Sequence, residues 1–160
     1  MQPTRRSLLG QAVAPLLLKS APRRRPNFVF IYTDDQRWDA VAALGRQTWL
    51  KTPNLDRLVR EGAVFRNAFV TTSLCSPSRS SYLTGLYAHK TGVTDNRNTS
   101  FMREGIPTIG TLLRQAGYTT AYIGKIHVPA FFEREHGFDY YASFPGQGVY
   151  FNNTFIVNGR

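Results

Sequence analysis

The chain has 160 residues, of which 42% are hydrophobic and 19% are charged, a composition that excludes a disordered chain and suits one domain with one core. Its net charge of +10 would suit a nucleic-acid partner, but six of the twenty basic residues lie within the first 25 positions. From Pro26 onward 14 basic residues stand against 10 acidic ones, a net charge of +4. We therefore expect no nucleic-acid partner, and the mild positive excess favours an anionic substrate.

The first 25 residues contain basic and apolar residues but no acidic one. Arg5 and Arg6 precede an apolar run from position 8 to position 18, which is shorter than the roughly 20 residues of a membrane-spanning helix. This order resembles a twin-arginine export signal. We predict a signal peptide over residues 1–21, a basic linker over residues 22–26 and a globular part over residues 27–160. The interpretation implies an export-machinery partner, a location in the bacterial periplasm or outside the cell, and no stable membrane span. A disordered basic tail is the alternative.

The next segments alternate between strand-like and helix-like patterns. Residues 28–33 form an unbroken aromatic and β-branched run, which predicts a strand buried on both faces, as in a parallel sheet. Residues 52–62 predict a helix with Thr52 as N-cap, Pro53 in the first turn and a left-handed Gly62 at the end. Residues 63–70 again resemble a strand.

The second half of the chain continues the alternation. Residues 76–86 and 107–116 predict helices, and residues 119–123 predict a second buried strand. Strands that alternate with helices indicate an α/β fold with a mostly parallel sheet sandwiched by helices.

Two adjacent carboxylates, Asp34 and Asp35, follow the first predicted strand. Open α/β sheets place their ligand sites at the carboxyl ends of strands. Because two neighbouring carboxylates repel each other unless a cation neutralises them, and because hard oxygen donors suit Ca²⁺ or Mg²⁺, the pair is a candidate metal site. An Asp-Asp turn or helix cap is the alternative.

The only cysteine, Cys75, lies at the predicted start of a helix, with Pro77 two residues on and Arg79 four residues on. A lone cysteine is a packing residue, a metal ligand or a reactive group. Backbone N–H groups at a helix N-terminus favour negative charge, and Arg79 shares a helix face with Cys75, so the position favours reactivity. A surface arginine is the alternative for Arg79.

A third segment, Gly124-Lys125-Ile126-His127, follows the second predicted strand. In an extended segment, residues two apart point the same way, so Lys125 and His127 would face one anion together. Taken alone, a Lys-x-His pair is more often part of a solvated edge.

These motifs resemble, in order, those of type I (formylglycine-dependent) sulfatases of the alkaline phosphatase superfamily. The segment from Cys75 to Gly85 contains the Cys-x-Pro-x-Arg signature followed by Leu-Thr-Gly, and many sulfatases have Trp where this chain has Ile126. The resemblance implies an alkaline phosphatase-like sulfatase fold. Because sulfatases are much longer, it also implies that residues 27–160 form the N-terminal part of a catalytic domain.

The resemblance assigns a role to each motif. A formylglycine-generating enzyme would oxidise Cys75 to an aldehyde, whose hydrate offers one hydroxyl to attack sulfur and a second to expel sulfate afterwards. Asp34, Asp35 and the oxidised Cys75 would hold Ca²⁺, with Mg²⁺ as the other candidate. Arg79 would hold the hydrated aldehyde, Lys125 a sulfate oxygen, and His127 the ester oxygen or the nucleophile.

Further metal ligands and a second lysine, which the resemblance also implies, are absent from these 160 residues, so the chain alone is expected to be inactive and poorly folded. Residues 144–150 resemble a segment of sulfatases that act on glycosaminoglycan or mucin sugars, which favours a sulfated carbohydrate substrate. Two alternatives stay open: a phosphodiesterase or phosphonate monoester hydrolase of the same superfamily, and a non-catalytic sulfatase-like binding protein.

Overall fold

A computed structural model describes residues 25–97, 102–128 and 137–160. The predicted signal peptide lies outside the described residues. The chain divides into one unit that ends at Val64 and a second unit from Phe65 to Arg160, and each is described by itself. Among the described residues, the helices are too short or too polar for any of them to cross a membrane.

The first unit contains a short 3₁₀ helix, Ala42–Leu44, and helix α1, Pro53–Glu61. Thr52 occupies the predicted N-cap position, but its hydroxyl accepts from the N–H of Ala42 (2.8 Å) and donates to Asp56 Oδ1 (2.8 Å) instead of capping the helix. These bonds tie the 3₁₀ helix to the first turn of α1.

Gly62 follows α1 as predicted, but its predicted left-handed conformation is wrong. Its φ of −118° is extended, and its N–H donates to the carbonyl of Leu58 (2.9 Å). A Cβ atom at position 62 would lie 2.8 Å from that carbonyl oxygen. The close approach of the backbone, not a positive φ, therefore explains the glycine.

The two strands predicted at residues 28–33 and 63–70 are not formed in this structure. Both segments lack strand pairing, and their residues are exposed, as the 86% exposure of Val29 and the 88% exposure of Phe69 illustrate. A strand exists only where a neighbouring strand accepts its hydrogen bonds. The apolar pattern showed that these side chains suit burial, but it did not provide the partner strand.

The second unit contains three helices and three strands. The helices are α2 (Cys75–Thr84), α3 (Ala88–Thr91) and α4 (Ile109–Gln115). The strands are β1 (Ala121–Ile123), β2 (Tyr140–Ser143) and β3 (Ile156–Val157), in the spatial order β1-β2-β3. β1 pairs with β2 in parallel and β2 pairs with β3 in antiparallel, so the α/β class is confirmed with a mixed sheet in the described part of the chain.

Local signals set the ends of these helices. α2 ends at Gly85, which adopts a left-handed φ of 72°, and Thr108 caps α4 by accepting from the N–H of Thr111 (3.2 Å). The prediction of a buried strand at residues 119–123 is wrong as to burial, because Ile123 in β1 is 71% exposed. Within the described sheet, β1 is an edge strand, and only its parallel partner β2 supplies neighbours.

The core of the second unit lies between α2, the segment after β1, and β2. Its buried side chains are Leu83, Val93, Ile126, Val128 and Tyr141. Ile126 and Val128 flank the half-buried His127, so burial of these apolar side chains fixes the backbone of the Lys125–His127 motif against α2.

Candidate active site

Cys75 is the first residue of α2, as the sequence predicted, and its side chain is half-buried. The N–H of Ser76 donates to Asn96 Oδ1 (2.9 Å), and the N–H of Ser78 donates to the carbonyl of Leu74 (2.9 Å). The first turn of α2 is therefore closed by a helical hydrogen bond and tied to Asn96, which lies outside the helix. The dipole of this ten-residue helix favours negative charge at its start.

Arg79 lies one turn further along α2 and is only 4% exposed. The interpretation as a surface arginine is therefore wrong. Burying a guanidinium is costly unless it interacts with polar or charged groups. Because Cys75 and Arg79 are four residues apart in α2, they share a helix face, and the buried positive charge of Arg79 lies one turn from the cysteine.

Lys125 brings a second positive charge to the cysteine from a segment 50 residues away. Its Nζ atom donates to Cys75 Sγ at 3.5 Å and to Gln147 Oε1 at 2.7 Å. The structure thus brings together Cys75, Arg79 and Lys125, which the sequence had placed in two separate motifs.

The backbone of Lys125 is held by the hydroxyl of Tyr122, which is itself hydrogen-bonded to a second tyrosine. Tyr122 Oη donates to the carbonyl of Lys125 (2.6 Å) and lies 2.8 Å from Tyr82 Oη. Because Tyr82 belongs to α2 and Tyr122 to β1, the pair links the helix that begins at Cys75 to the segment that contains Lys125. We call these two side chains the tyrosine pair.

His127 does not adopt the predicted extended conformation. Its φ is +46°, in the left-handed region, and its carbonyl accepts a hydrogen bond from Ser76 Oγ. A left-handed residue breaks the alternation of side-chain directions on which the expectation of a shared Lys125–His127 face rested. The bond to Ser76 and the burial of Ile126 give the physical reason, because both pull this backbone towards α2.

Burial around the tyrosine pair shifts two titrations. The pKa of Tyr122 is raised far above its ordinary value, mainly by burial and then by Tyr82, while the positive charge of Arg79 acts in the opposite direction. Burial also raises the pKa of Tyr141 to about 12. A tyrosine with the ordinary pKa of 10.0 is already protonated at neutral pH, so burial extends to higher pH the range in which Tyr122 donates to the Lys125 carbonyl.

Gln147 is a site residue that the sequence argument missed. The sequence places Gln147 in the segment 144–150 but predicts no contact for its side chain. The sequence signal that could have identified Gln147 is the turn-forming segment Pro145-Gly146-Gln147-Gly148, which begins two residues after β2. Because β2 is parallel to β1, a turn at its carboxyl end lies at the same sheet edge as Lys125.

The proposed metal residues Asp34 and Asp35 lie in the first unit and are exposed, with Asp35 in the left-handed region at φ 52°. Within the described part of either unit, no three His, Cys, Asp or Glu side chains are grouped as a metal site. The carboxylate oxygens of Asp34 and Asp35 are hard, accessible donors that fit Ca²⁺ or Mg²⁺. Two carboxylates supply fewer oxygens than the six or more ligands that such ions take, so further ligands are needed.

Comparison with known proteins places this arrangement in a family. The Sulfatase family model matches residues 26–157. The N-acetylglucosamine-6-O-sulfatase of Bacteroides thetaiotaomicron is 38% identical over 140 residues, which are 86% of this chain and 24% of that protein. Rat arylsulfatase G is 40% identical over 150 residues, 87% of this chain and 26% of that protein.

A solved structure agrees with these matches. It is that of a protein in complex with its substrate D-glucosamine-2-N,6-O-disulfate, and it superposes with a TM-score of 0.75 at 38% identity. The match covers 86% of this chain and 27% of that one, so the chain spans about a quarter of the length of the proteins it matches. The fold is the alkaline phosphatase-like α/β fold of those neighbours, and the chain belongs to the sulfatase family.

Proposed function

We propose that this chain forms part of the active site of a sulfatase that hydrolyses sulfate esters of carbohydrates. The observation that carries the proposal is the approach of the Lys125 ammonium to Cys75 Sγ at the start of α2, above the buried Arg79. The Lys125 ammonium and the helix N-terminus adjoin one side-chain position, and the buried Arg79 lies one helical turn from it. A sulfate ester, whose transferred group is anionic, is stabilised in such surroundings.

Each site residue has a proposed task. Oxidised to formylglycine, position 75 supplies a geminal hydroxyl as nucleophile. Arg79 orients that group from beneath and offsets negative charge. Lys125 binds a sulfate oxygen through the ammonium that already lies 3.5 Å from Cys75 Sγ. His127 donates to the ester oxygen or orients the nucleophile.

Asp34, Asp35 and the oxidised residue 75 are the proposed ligands of a divalent cation. The donor chemistry favours Ca²⁺, with Mg²⁺ as the alternative, because all of these ligands are oxygens. Such a cation would neutralise part of the sulfate charge and increase the acidity of the attacking hydroxyl. The carboxylates themselves supply the negative charge that retains the cation.

The names of the relatives support a carbohydrate substrate. One matched protein is named as an N-acetylglucosamine-6-O-sulfatase, and the matched structure contains a sulfated glucosamine. We therefore propose a sulfated amino sugar as the first substrate to test. A formylglycine-generating enzyme as maturation partner, and export directed by residues 1–21 to the periplasm or outside the cell, belong to the same proposal.

The test replaces Cys75 by Ala and by Ser in the full-length protein, co-expressed with a formylglycine-generating enzyme. Both variants should lose turnover of N-acetylglucosamine-6-sulfate, because alanine offers no group to oxidise and an unoxidised serine has one hydroxyl where the aldehyde hydrate has two. Mass spectrometry and hydrazide labelling of the wild-type peptide should detect the aldehyde at position 75. Arg114→Ala, on the exposed face of α4, is the control and should keep activity.

Three results would contradict the proposal. Wild-type turnover in Cys75→Ala, or in Cys75→Ser without an aldehyde at position 75, would show that the formylglycine chemistry is wrong. Hydrolysis of a phosphodiester but not of a sulfate ester would favour the phosphodiesterase alternative. A full-length protein with no aldehyde at position 75 and no turnover would favour a sulfatase-like binding protein.

A further inference from the structure

Gln147 meets Lys125 because of the order and direction of the strands. β1 and β2 are parallel, with Ile123 paired to Ala142, so their carboxyl ends lie at one edge of the sheet. The segment after β1 reaches Lys125 within two residues, and the segment after β2 reaches Gln147 within four. The N–H of Gly124 donates to the carbonyl of Ala142 (2.9 Å) and continues the pairing up to the point where the two segments diverge.

A tight turn fixes Gln147 at this edge. The N–H of Gly148 donates to the carbonyl of Pro145 (3.2 Å), and Gly146 and Gly148 have φ values of 58° and 73°. Glycine adopts such conformations without steric cost. A Cβ atom at position 148 would lie 2.6 Å from Phe144 Cδ2, so the turn packs directly on that ring.

The ring of Phe144 is in turn held by Phe155. The two ring centroids are 5.4 Å apart, and the ring planes meet at 86° in an edge-to-face contact. Phe155 directly precedes β3, so the third strand supports the turn. The exposed amide of Gln147 therefore extends from a braced backbone.

We propose that Gln147 is a positioning residue that holds the Lys125 ammonium against the side chain of residue 75; this rests on the proposed function. A lysine side chain has a flexible four-carbon stem, and its ammonium can be directed only by fixed acceptors. Gln147 Oε1 is such an acceptor at 2.7 Å, while the same Nζ atom lies 3.5 Å from Cys75 Sγ.

The amide is chemically suited to this task. A neutral acceptor orients the ammonium but leaves its full positive charge for the sulfate group. A carboxylate of the same length would orient the ammonium equally well but would neutralise it. The proposal therefore predicts that glutamine is required for its lack of charge as well as for its reach.

The activity test compares Gln147→Ala and Gln147→Glu with the control Gln115→Ala, which removes the same amide from the exposed end of α4. We expect kcat/KM for N-acetylglucosamine-6-sulfate to fall at least about 10-fold in Gln147→Ala, the lower end of the range expected for one hydrogen bond to a charged group. Gln147→Glu should lose at least as much, and the control should lose nothing. Thermal unfolding should be unchanged in all three.

A double-mutant cycle with Lys125→Ala separates positioning from other roles. If Gln147 acts through Lys125, Gln147→Ala will have no further effect once Lys125 is absent. An undiminished loss in the Lys125→Ala background would show that Gln147 acts on the substrate directly or on the fold, and would overturn the proposal. Full activity of Gln147→Glu would overturn it as well.

A second measurement does not depend on sulfatase activity. The Lys125 ammonium lies 3.5 Å from Cys75 Sγ and attracts an anionic reagent, so the ratio of the rates at which iodoacetate and iodoacetamide alkylate unmodified Cys75 reports the position of that ammonium. Gln147→Ala should lower this ratio about 2- to 5-fold, and Lys125→Ala should lower it at least as much. Equal ratios in wild type and Gln147→Ala would refute the proposal. If the ratio falls but sulfate esters are not cleaved, the proposed function fails while the positioning contact stands.

Discussion

Removing the hydroxyl of Tyr122 should loosen the segment that contains Lys125. Tyr122→Phe removes the 2.6 Å hydrogen bond to the carbonyl of Lys125 and the 2.8 Å hydrogen bond to Tyr82 Oη. Both groups are partly buried, so water replaces each lost hydrogen bond only incompletely. The cost of leaving such groups unsatisfied is about 1–3 kcal/mol, which corresponds to a roughly 5- to 150-fold change in an opening equilibrium.

Hydrogen–deuterium exchange of the full-length protein measures this opening locally. The N–H of Gly124, bonded to the carbonyl of Ala142 at 2.9 Å, lies in the peptide 121–128 and reports separation of this segment from β2. We expect exchange in that peptide to accelerate about 5- to 150-fold in Tyr122→Phe. Peptides from α1 should exchange at the wild-type rate.

Tyr82→Phe is the matched variant, because it removes one hydroxyl of the tyrosine pair but leaves the bond from Tyr122 to Lys125 in place. Its effect should be smaller, about 0.5–1.5 kcal/mol. The double variant should lose less than the sum of the single losses, because it removes both partners of one bond. Unchanged exchange of residues 121–128 in Tyr122→Phe, or strictly additive losses, would refute the linkage between α2 and the Lys125 segment.

Two further predictions concern the stability of the second unit. Because burial raises the pKa of Tyr141 to about 12 from an ordinary 10.0, the unfolded state releases this proton first as the pH rises. The protonated Tyr141 contributes fully to the free energy of unfolding below pH 10, and this contribution is lost between pH 10 and about 12. The urea midpoint should therefore fall over that window, and it should fall less in Tyr141→Phe. Gly148→Ala should destabilise by about 2–5 kcal/mol through its positive φ and its clash with Phe144, whereas Gly146→Ala, with open space around its Cβ, should cost only about 1–2 kcal/mol. Equal urea midpoints for the two alanine variants would contradict the packing of the turn on Phe144.

The helices were predictable because their signals are local. Pro53 at the first position of α1 acts through its own backbone preference and needs no distant partner. The helix predicted at residues 76–86 ends two residues earlier than predicted, because Gly85 adopts a left-handed conformation. The strands were less predictable, because a strand also depends on what lies beside it. Residues 28–33 have a strand-like pattern but pair with no strand among the described residues, whereas Ile156 and Val157 pair with β2 although no strand was predicted there.

The sequence by itself determined the family and the candidate chemistry. The spacing of Cys75, Pro77 and Arg79, together with Lys125 and His127, was sufficient for both, because a motif places reactive side chains within one helical turn or one short segment. Only the tertiary structure decided that Lys125 reaches Cys75, that Arg79 is buried, that His127 turns its backbone to Ser76, and that Gln147 meets the ammonium. The three hydrogen-bonded contacts span 22 to 51 residues of sequence, and the one between Lys125 and Gln147 depends on the parallel pairing of β1 with β2, which no local preference encodes.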